Sequence, residues 1–193
     1  ERYFTDMSGD PRVIVSDDIV ADAAAGAETI KMNQSVMFSK RALRQLEVHE
    51  GWVHLGTTLN GKRQPICTFL SKGAPSSTVT QEGLAILVEI LTFSSFPSRV
   101  RRITDRVRAV NMAEDGADFL DVFKYFESTG NDSEAAYKCA VRAFRGSVPN
   151  GKPFTKDLSY VRGFVEIFNY IRLAIGEGLV SHIPMLFCGK TAL

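Results

Sequence analysis

The sequence is poor in the residues that staple, span or strongly charge a chain. It holds only three cysteines in 193 residues, Cys67, Cys139 and Cys188, far apart and odd in number. A secreted disulfide framework needs cysteines that can pair, so the expectation is a reducing, cytoplasmic setting. No apolar run approaches the roughly 20 residues that cross a bilayer, and the first residues show no signal-peptide pattern. No membrane partner is expected. The formal net charge is +1, from 23 basic and 22 acidic residues, and nothing in that balance asks for nucleic acid. Histidine is as scarce as cysteine. Three occur in the whole chain, and two of them are His49 and His54. The rest is ordinary: 45% of residues are hydrophobic, enough for a real core. The length suits one domain over 1–193, and the start at Glu1 and apolar end at Leu193 suggest a fragment of a longer chain.

Two short stretches read as strands. Val13-Ile14-Val15 lies between Pro11 and Ser16-Asp17-Asp18, and Thr29 to Met37 alternates loosely. Ser39 reads as the N-cap of a helix from Lys40 to Leu55 with Leu43, Leu46 and Val53 inward. Asn60-Gly61 is a turn signal, Pro65 to Leu70 looks strand-like, and Gly73 to Ser77 is a loop. Thr80 to about Phe93 has Leu84, Leu87, Val88 and Leu91 on one helical face. Further helices are predicted over Arg99 to Val110 (Val100, Ile103, Val107 and Val110 inward), Glu114 to Phe126, Ser133 to Phe144 and Leu158 to Ile175. The fold class is α+β, mostly helical with a small N-terminal sheet.

The chemistry concentrates in His49-Glu50-Gly51-Trp52-Val53-His54, an H-E-x-x-x-H run one residue longer than the zinc-peptidase pattern H-E-x-x-H. At about 100° per residue, ligands at i and i+4 sit about 40° apart on a helix, but ligands at i and i+5 about 140° apart. A regular α-helix cannot aim both histidines at one Zn2+. A one-residue π-bulge restores the alignment, and Gly51 between the two histidines makes the distortion cheaper. A tetrahedral zinc that keeps a water needs a third protein ligand. Glu82, in Thr80-Gln81-Glu82-Gly83-Leu84-Ala85, is the candidate, since it opens the next long helix. That run resembles the Asn-Glu-Gly-Phe-Ala signature of the gluzincin aminopeptidases, whose Glu is the third ligand. Glu89, two turns on, could orient a ligating imidazole. Glu50 is the candidate general base, and Tyr160, near the start of the last long helix, the candidate oxyanion donor.

Each of these residues has a plainer reading. Glu82 could be a first-turn carboxylate favoured by the helix dipole, Trp52 core packing, His182 a structural residue and Tyr160 an ordinary tyrosine. The basic run Arg99, Arg101, Arg102, Arg106 and Arg108 reads as a solvated face. The pairing of two scarce histidines with a downstream Gln-Glu-Gly favours the metal.

The longer run from Leu46 to Gly61, then Gln64-Pro65, then Thr80 to Ala85, with Phe154 to Gly163 later, resembles the bacterial QEGLA-motif proteins, often labelled flavohaemoglobin expression-modulating. That family includes the eukaryotic microtubule-associated tyrosine carboxypeptidases, which remove the C-terminal tyrosine of α-tubulin. The resemblance covers most of the chain from about Arg12. It implies a zincin-like, gluzincin-type carboxypeptidase in which His49, His54 and Glu82 bind zinc and Glu50 is the base, acting on a peptide or protein C-terminus. Such an enzyme also needs a cation for the substrate's terminal carboxylate. Lys156 and Arg162 are candidates, with Lys72 and Arg63 beside them. Two alternatives stand: a non-catalytic zinc-binding regulator of a partner's expression, against which retention of Glu50 argues, and a metallohydrolase acting on a non-peptide amide.

Overall fold

The computed structural model describes residues 11–19 and 21–193, which divide into two units: one takes residues up to Ser95 together with Gly163–Leu193, the other Phe96–Arg162. The first unit begins with a three-stranded sheet in the order β1-β3-β2. Strand β1 (Arg12–Ser16) runs parallel to β3 (Thr29–Asn33), and β2 (Ala23–Ala25) pairs antiparallel on its other side. The first and last of these were legible as β-branched or alternating runs. Strand β2 was not, because three alanines carry no strand propensity.

Helix α1 (Lys40–Leu46) starts at Ser39, whose hydroxyl accepts the Ala42 N–H at 3.1 Å. The chain then winds as a π-helix over Glu47–Leu55 and returns to α geometry in α2 (Gly56–Lys62). The inward stripe expected here holds at Val53 but fails at Leu43, which is exposed. Asn60-Gly61 is not a turn. Both lie within α2, where Asn60 Nδ2 donates to the Phe187 carbonyl at 2.8 Å. Pro65 to Leu70 forms no strand, and Thr68–Ser71 is a 3-10 turn instead. A Cβ on Gly61 would lie 2.4 Å from the Leu70 carbonyl carbon, so glycine there lets α2 meet that turn.

Helix α3 (Ser77–Leu91) packs against the π-helix. It ends two residues before the expected Phe93, which takes a left-handed φ of 55° and closes the helix. Leu84 and Leu87 are buried as the periodicity implied, but Leu91 is exposed. A core of Val53, Leu84, Ala85, Leu87, Ile167 and Leu186 joins the π-helix and α3 to the later part of α7 (Leu158–Gly176) and to the 3-10 segment Val180–Phe187.

The second unit is built on α4 (Pro97–Glu114), α5 (Phe119–Ser128) and α6 (Ser133–Ala143). Its small-residue core, Ala109, Ala113, Ala136, Ala140 and Ala143, closes around Val122, Phe126 and Phe144. Glu114 ends α4 rather than opening α5, because the Asp118 capping box sets the α5 start. Val100 is exposed, while Ile103 and Val110 of the same expected stripe are buried. Among the described residues no helix is long and apolar enough to cross a membrane.

Candidate metal centre

The π-helix answers the spacing problem of His49 and His54. Where an α-helix pairs each N–H with the carbonyl four residues back, a π-helix reaches five back. The Gly56 N–H accordingly reaches the Gly51 carbonyl at the end of the segment. Residues i and i+5 then fall on one face, and the two imidazoles stand with ring centroids 4.8 Å apart, edge to face. The distortion extends over nine residues, Glu47–Leu55, rather than the single bulged residue the spacing required. Gly51 faces the sheet, where an added Cβ would meet only Ile30 Cδ1 at 3.7 Å.

Glu82 approaches from α3. Its Oε2 lies 3.3 Å from His49 Nε2 and 3.6 Å from His54 Nε2. Donors bound about 2.0–2.2 Å from one ion at tetrahedral angles stand about 3.3–3.6 Å apart. Glu82 Oε2 thus stands from each imidazole nitrogen at the spacing of two donors on one tetrahedral ion. Glu50 is also close: ligand atoms of His49, Glu50 and His54 all lie within 4.8 Å of one another, a group that could hold a metal ion. Two carboxylates therefore adjoin the histidine pair. They differ in that Glu50 Oε2 accepts the Ala25 N–H of β2 at 2.9 Å, whereas Glu82 Oε2 stands between the two imidazole nitrogens, 3.3 and 3.6 Å away.

The outer contacts fix the rings. Glu89, wholly buried, places Oε1 2.6 Å from His49 Nδ1, and the same oxygen accepts from Gln45 Nε2 at 2.9 Å. The α3 C-terminus holds Glu89 in turn, its carbonyl accepting the N–H groups of Ser94 and Ser95 at 2.8 and 3.0 Å. On the other ring, Gln81 Oε1 lies 3.4 Å from His54 Nδ1 and accepts the Thr57 hydroxyl at 2.9 Å. Gln81 and Thr57 were missed from the sequence, although the Gln-Glu adjacency was a usable signal: consecutive residues can face two neighbouring imidazoles.

The electrostatics match a site of clustered donors. Burial works to lower the His49 pKa, but the carboxylates of Glu82 and Glu89 outweigh it and raise the value to about 9. Burial works to raise Glu82, and the hydrogen bonds from His49 and His54 hold it well below the usual carboxylate range.

Lys156, Tyr160 and Arg162 belong to the second unit, in which Asp157 takes a two-pronged ion pair from Arg142 at 2.7 Å per contact. Arg63 and Lys72 are exposed on the first unit. Trp52 sits under the Arg44 guanidinium, 4.8 Å from its ring centroid. A family model described as microtubule-associated tyrosine carboxypeptidase matches residues 1–193. Among curated protein sequences none matches the chain.

Proposed function

The chain belongs to the microtubule-associated tyrosine carboxypeptidase family, and from that premise we propose that it is a zinc-dependent carboxypeptidase with a zincin-like, gluzincin-type site. The observation that carries this reading is the π-helical turn that sets His49 and His54 on one face, with Glu82 Oε2 at 3.3 and 3.6 Å from their Nε2 atoms. His49, His54 and Glu82 would hold the ion. A bound zinc lowers the pKa of a water and polarises a carbonyl.

The chain's own residues supply the rest. Glu50 takes the proton of the attacking water and delivers it to the leaving amine. The Ala25 N–H, donating to Glu50 Oε2, holds that carboxylate in one orientation and leaves Oε1 for the proton. Glu89 fixes the His49 ring through Nδ1 so that Nε2 faces inward, and Gln81 does the same for His54. The sequence pattern alone offers Tyr160 as an oxyanion donor and Lys156 and Arg162 as substrate-binding groups. The substrate is a peptide or protein C-terminus, and the family description points to tyrosine as the residue removed.

Glu50→Gln separates catalysis from metal binding. It should lower release of a C-terminal tyrosine from test peptides by about 10²–10⁴-fold while zinc content stays equal to wild type. Equal hydrolysis by both proteins would refute the assignment, as would a wild-type protein that binds zinc and releases nothing from any peptide. The second outcome would favour the regulator.

A further inference from the structure

The basic run of α4 divides in two. At about 100° per residue, Arg101 and Arg108 fall opposite the buried stripe of Ile103, Ala109, Val110 and Ala113, and both are exposed. They are the solvated face that the sequence suggested. Arg106 falls in the middle of the buried stripe instead. Its side chain is half-buried, and its Nε is buried with no hydrogen-bond partner. An exposed arginine needs no partner in the protein, because water serves every N–H. A guanidinium lodged in an apolar stripe does need one, since its donors and its charge leave water together.

The surroundings of that stripe lie wholly within the second unit. Helix α4 packs against α6 and against the 3-10 turn Thr155–Asp157. The Phe154 N–H donates to the Ala143 carbonyl at 2.7 Å, which pins the turn to the end of α6. Buried Asp157 then receives Nε and Nη2 of Arg142 at 2.7 Å per contact, one on each carboxylate oxygen. Asp105, next to Arg106 in the sequence, accepts the Tyr125 hydroxyl of α5 at 3.0 Å. The acids of this region are thus committed to other groups. Burial lowers the Arg106 pKa, Arg142 lowers it further and Asp157 opposes the shift, as expected where positive charge is in excess.

We propose that Arg106 is the centre of a binding site for a small tetrahedral oxyanion of the phosphate class. Arg102, four residues earlier and exposed, lies on the same side of α4 and can close over the ion. Like charges at that spacing repel in the empty site, and an anion held between them turns the repulsion into attraction. Arg142 and Asp157 neutralise each other, so the ion answers the two guanidinium groups of α4, and Arg99, a turn further back, acts in the same sense. Two forked cations suit a dianion with several acceptor oxygens better than a single carboxylate. The ion must be small, because the Nε it reaches lies below the surface. The site is independent of the metal centre and of the peptidase reading.

The test is calorimetric titration of inorganic phosphate into the zinc-loaded full chain, with Tm read in phosphate, acetate and sodium chloride at equal ionic strength. In wild type, phosphate at about tenfold excess over its Kd should raise Tm by about 3–6 °C, and acetate and chloride should not. Arg106→Met should abolish both the titration signal and the Tm rise. Without phosphate its Tm should equal or exceed that of wild type, because methionine fills the stripe and buries no charge. Arg102→Met should weaken phosphate binding by about 10–100-fold, the range for a charge-assisted contact. Arg101→Met, on the opposite face, should leave it unchanged. The proposal is overturned if phosphate does no more than chloride, or if acetate matches it. It is overturned if Arg106→Met still binds phosphate, which would put the ion at the metal centre. Equal losses in Arg101→Met and Arg102→Met would overturn it as well, leaving only the diffuse charge of α4. So would a lower Tm of Arg106→Met in plain buffer with phosphate binding unchanged in the exposed-site variant Arg102→Met, which would make Arg106 structural.

Discussion

Replacing Gly83 by alanine sets two physical effects of opposite sign against each other. Gly83 sits inside α3, one residue after Glu82, with ordinary helical φ. In an exposed helix, glycine to alanine stabilises by about 0.8–1 kcal/mol. Here a Cβ would lie 2.0 Å from the Gly163 carbonyl carbon and 2.2 Å from its oxygen. Ordinary contact between such atoms is about 3.5–4.0 Å, so α3 and α7 must separate by about 1.5 Å at this point. No rotamer change relieves a backbone clash, so the cost belongs near the upper end of the overpacking range, about 3 kcal/mol. Subtracting the gain in propensity leaves a net loss of about 2 kcal/mol, a fall in Tm of about 4–8 °C for a chain of this size. The displacement also moves Glu82, and metal sites tolerate only about 0.2 Å in ligand distance. Zinc affinity should therefore fall by about 10–100-fold, the loss typical when ligand placement is disturbed. Differential scanning calorimetry of the metal-free protein, with a chromophoric-chelator competition for zinc, reads both quantities. Gly163→Ala meets the same interface from the other side, its Cβ 1.9 Å from the Val79 carbonyl oxygen, and should behave alike. A Gly83→Ala protein whose Tm is unchanged or raised would refute the close-approach argument, because propensity would then have won.

Two further outcomes follow from the outer contacts and the charges. Glu89→Gln should keep the fold but weaken zinc binding by about 10–100-fold, since the amide is a poorer acceptor for the His49 Nδ1–H; zinc titration by competition checks it, and unchanged affinity would remove Glu89 from the site. In the metal-free protein, the raised His49 pKa contributes stability that is full below the ordinary value of 6.5 and lost as pH rises towards about 9. The depressed Glu82 pKa contributes stability present above 4.5 and lost as pH falls below it. Metal-free Tm should therefore decline from pH 6.5 to 9, and zinc, taking the proton's place between the donors, should flatten the decline. A flat metal-free profile over that range would count against the His49–Glu82 contact.

What could be read from the sequence was whatever local chemistry dictates. The Ser39 cap, the β-branched strand at Val13 to Val15 and the helix carrying Gln81 to Leu87 are set by neighbours within a few residues, and they lie where the pattern put them. The distortion between His49 and His54 was also legible, because a five-residue spacing and a shared ion are incompatible with 3.6 residues per turn. Its length was not, since how far a π-turn propagates depends on packing against α3 and β3. The errors share one cause. Asn60-Gly61 has the composition of a turn, yet tertiary contacts to Leu70 and Phe187 decide its use, and a small residue chosen for close approach looks the same as one chosen for flexibility. Gly83 and Gly163 repeat the point, for neither announces the other across 80 positions. The final segment is the furthest case: nothing near it in the sequence announces that Asn60 binds the Phe187 carbonyl, Gln64 the Cys188 carbonyl and Thr80 the Leu193 N–H. The histidine pair can be read from spacing because one element carries both, whereas contacts between distant stretches become visible only when the fold brings them together.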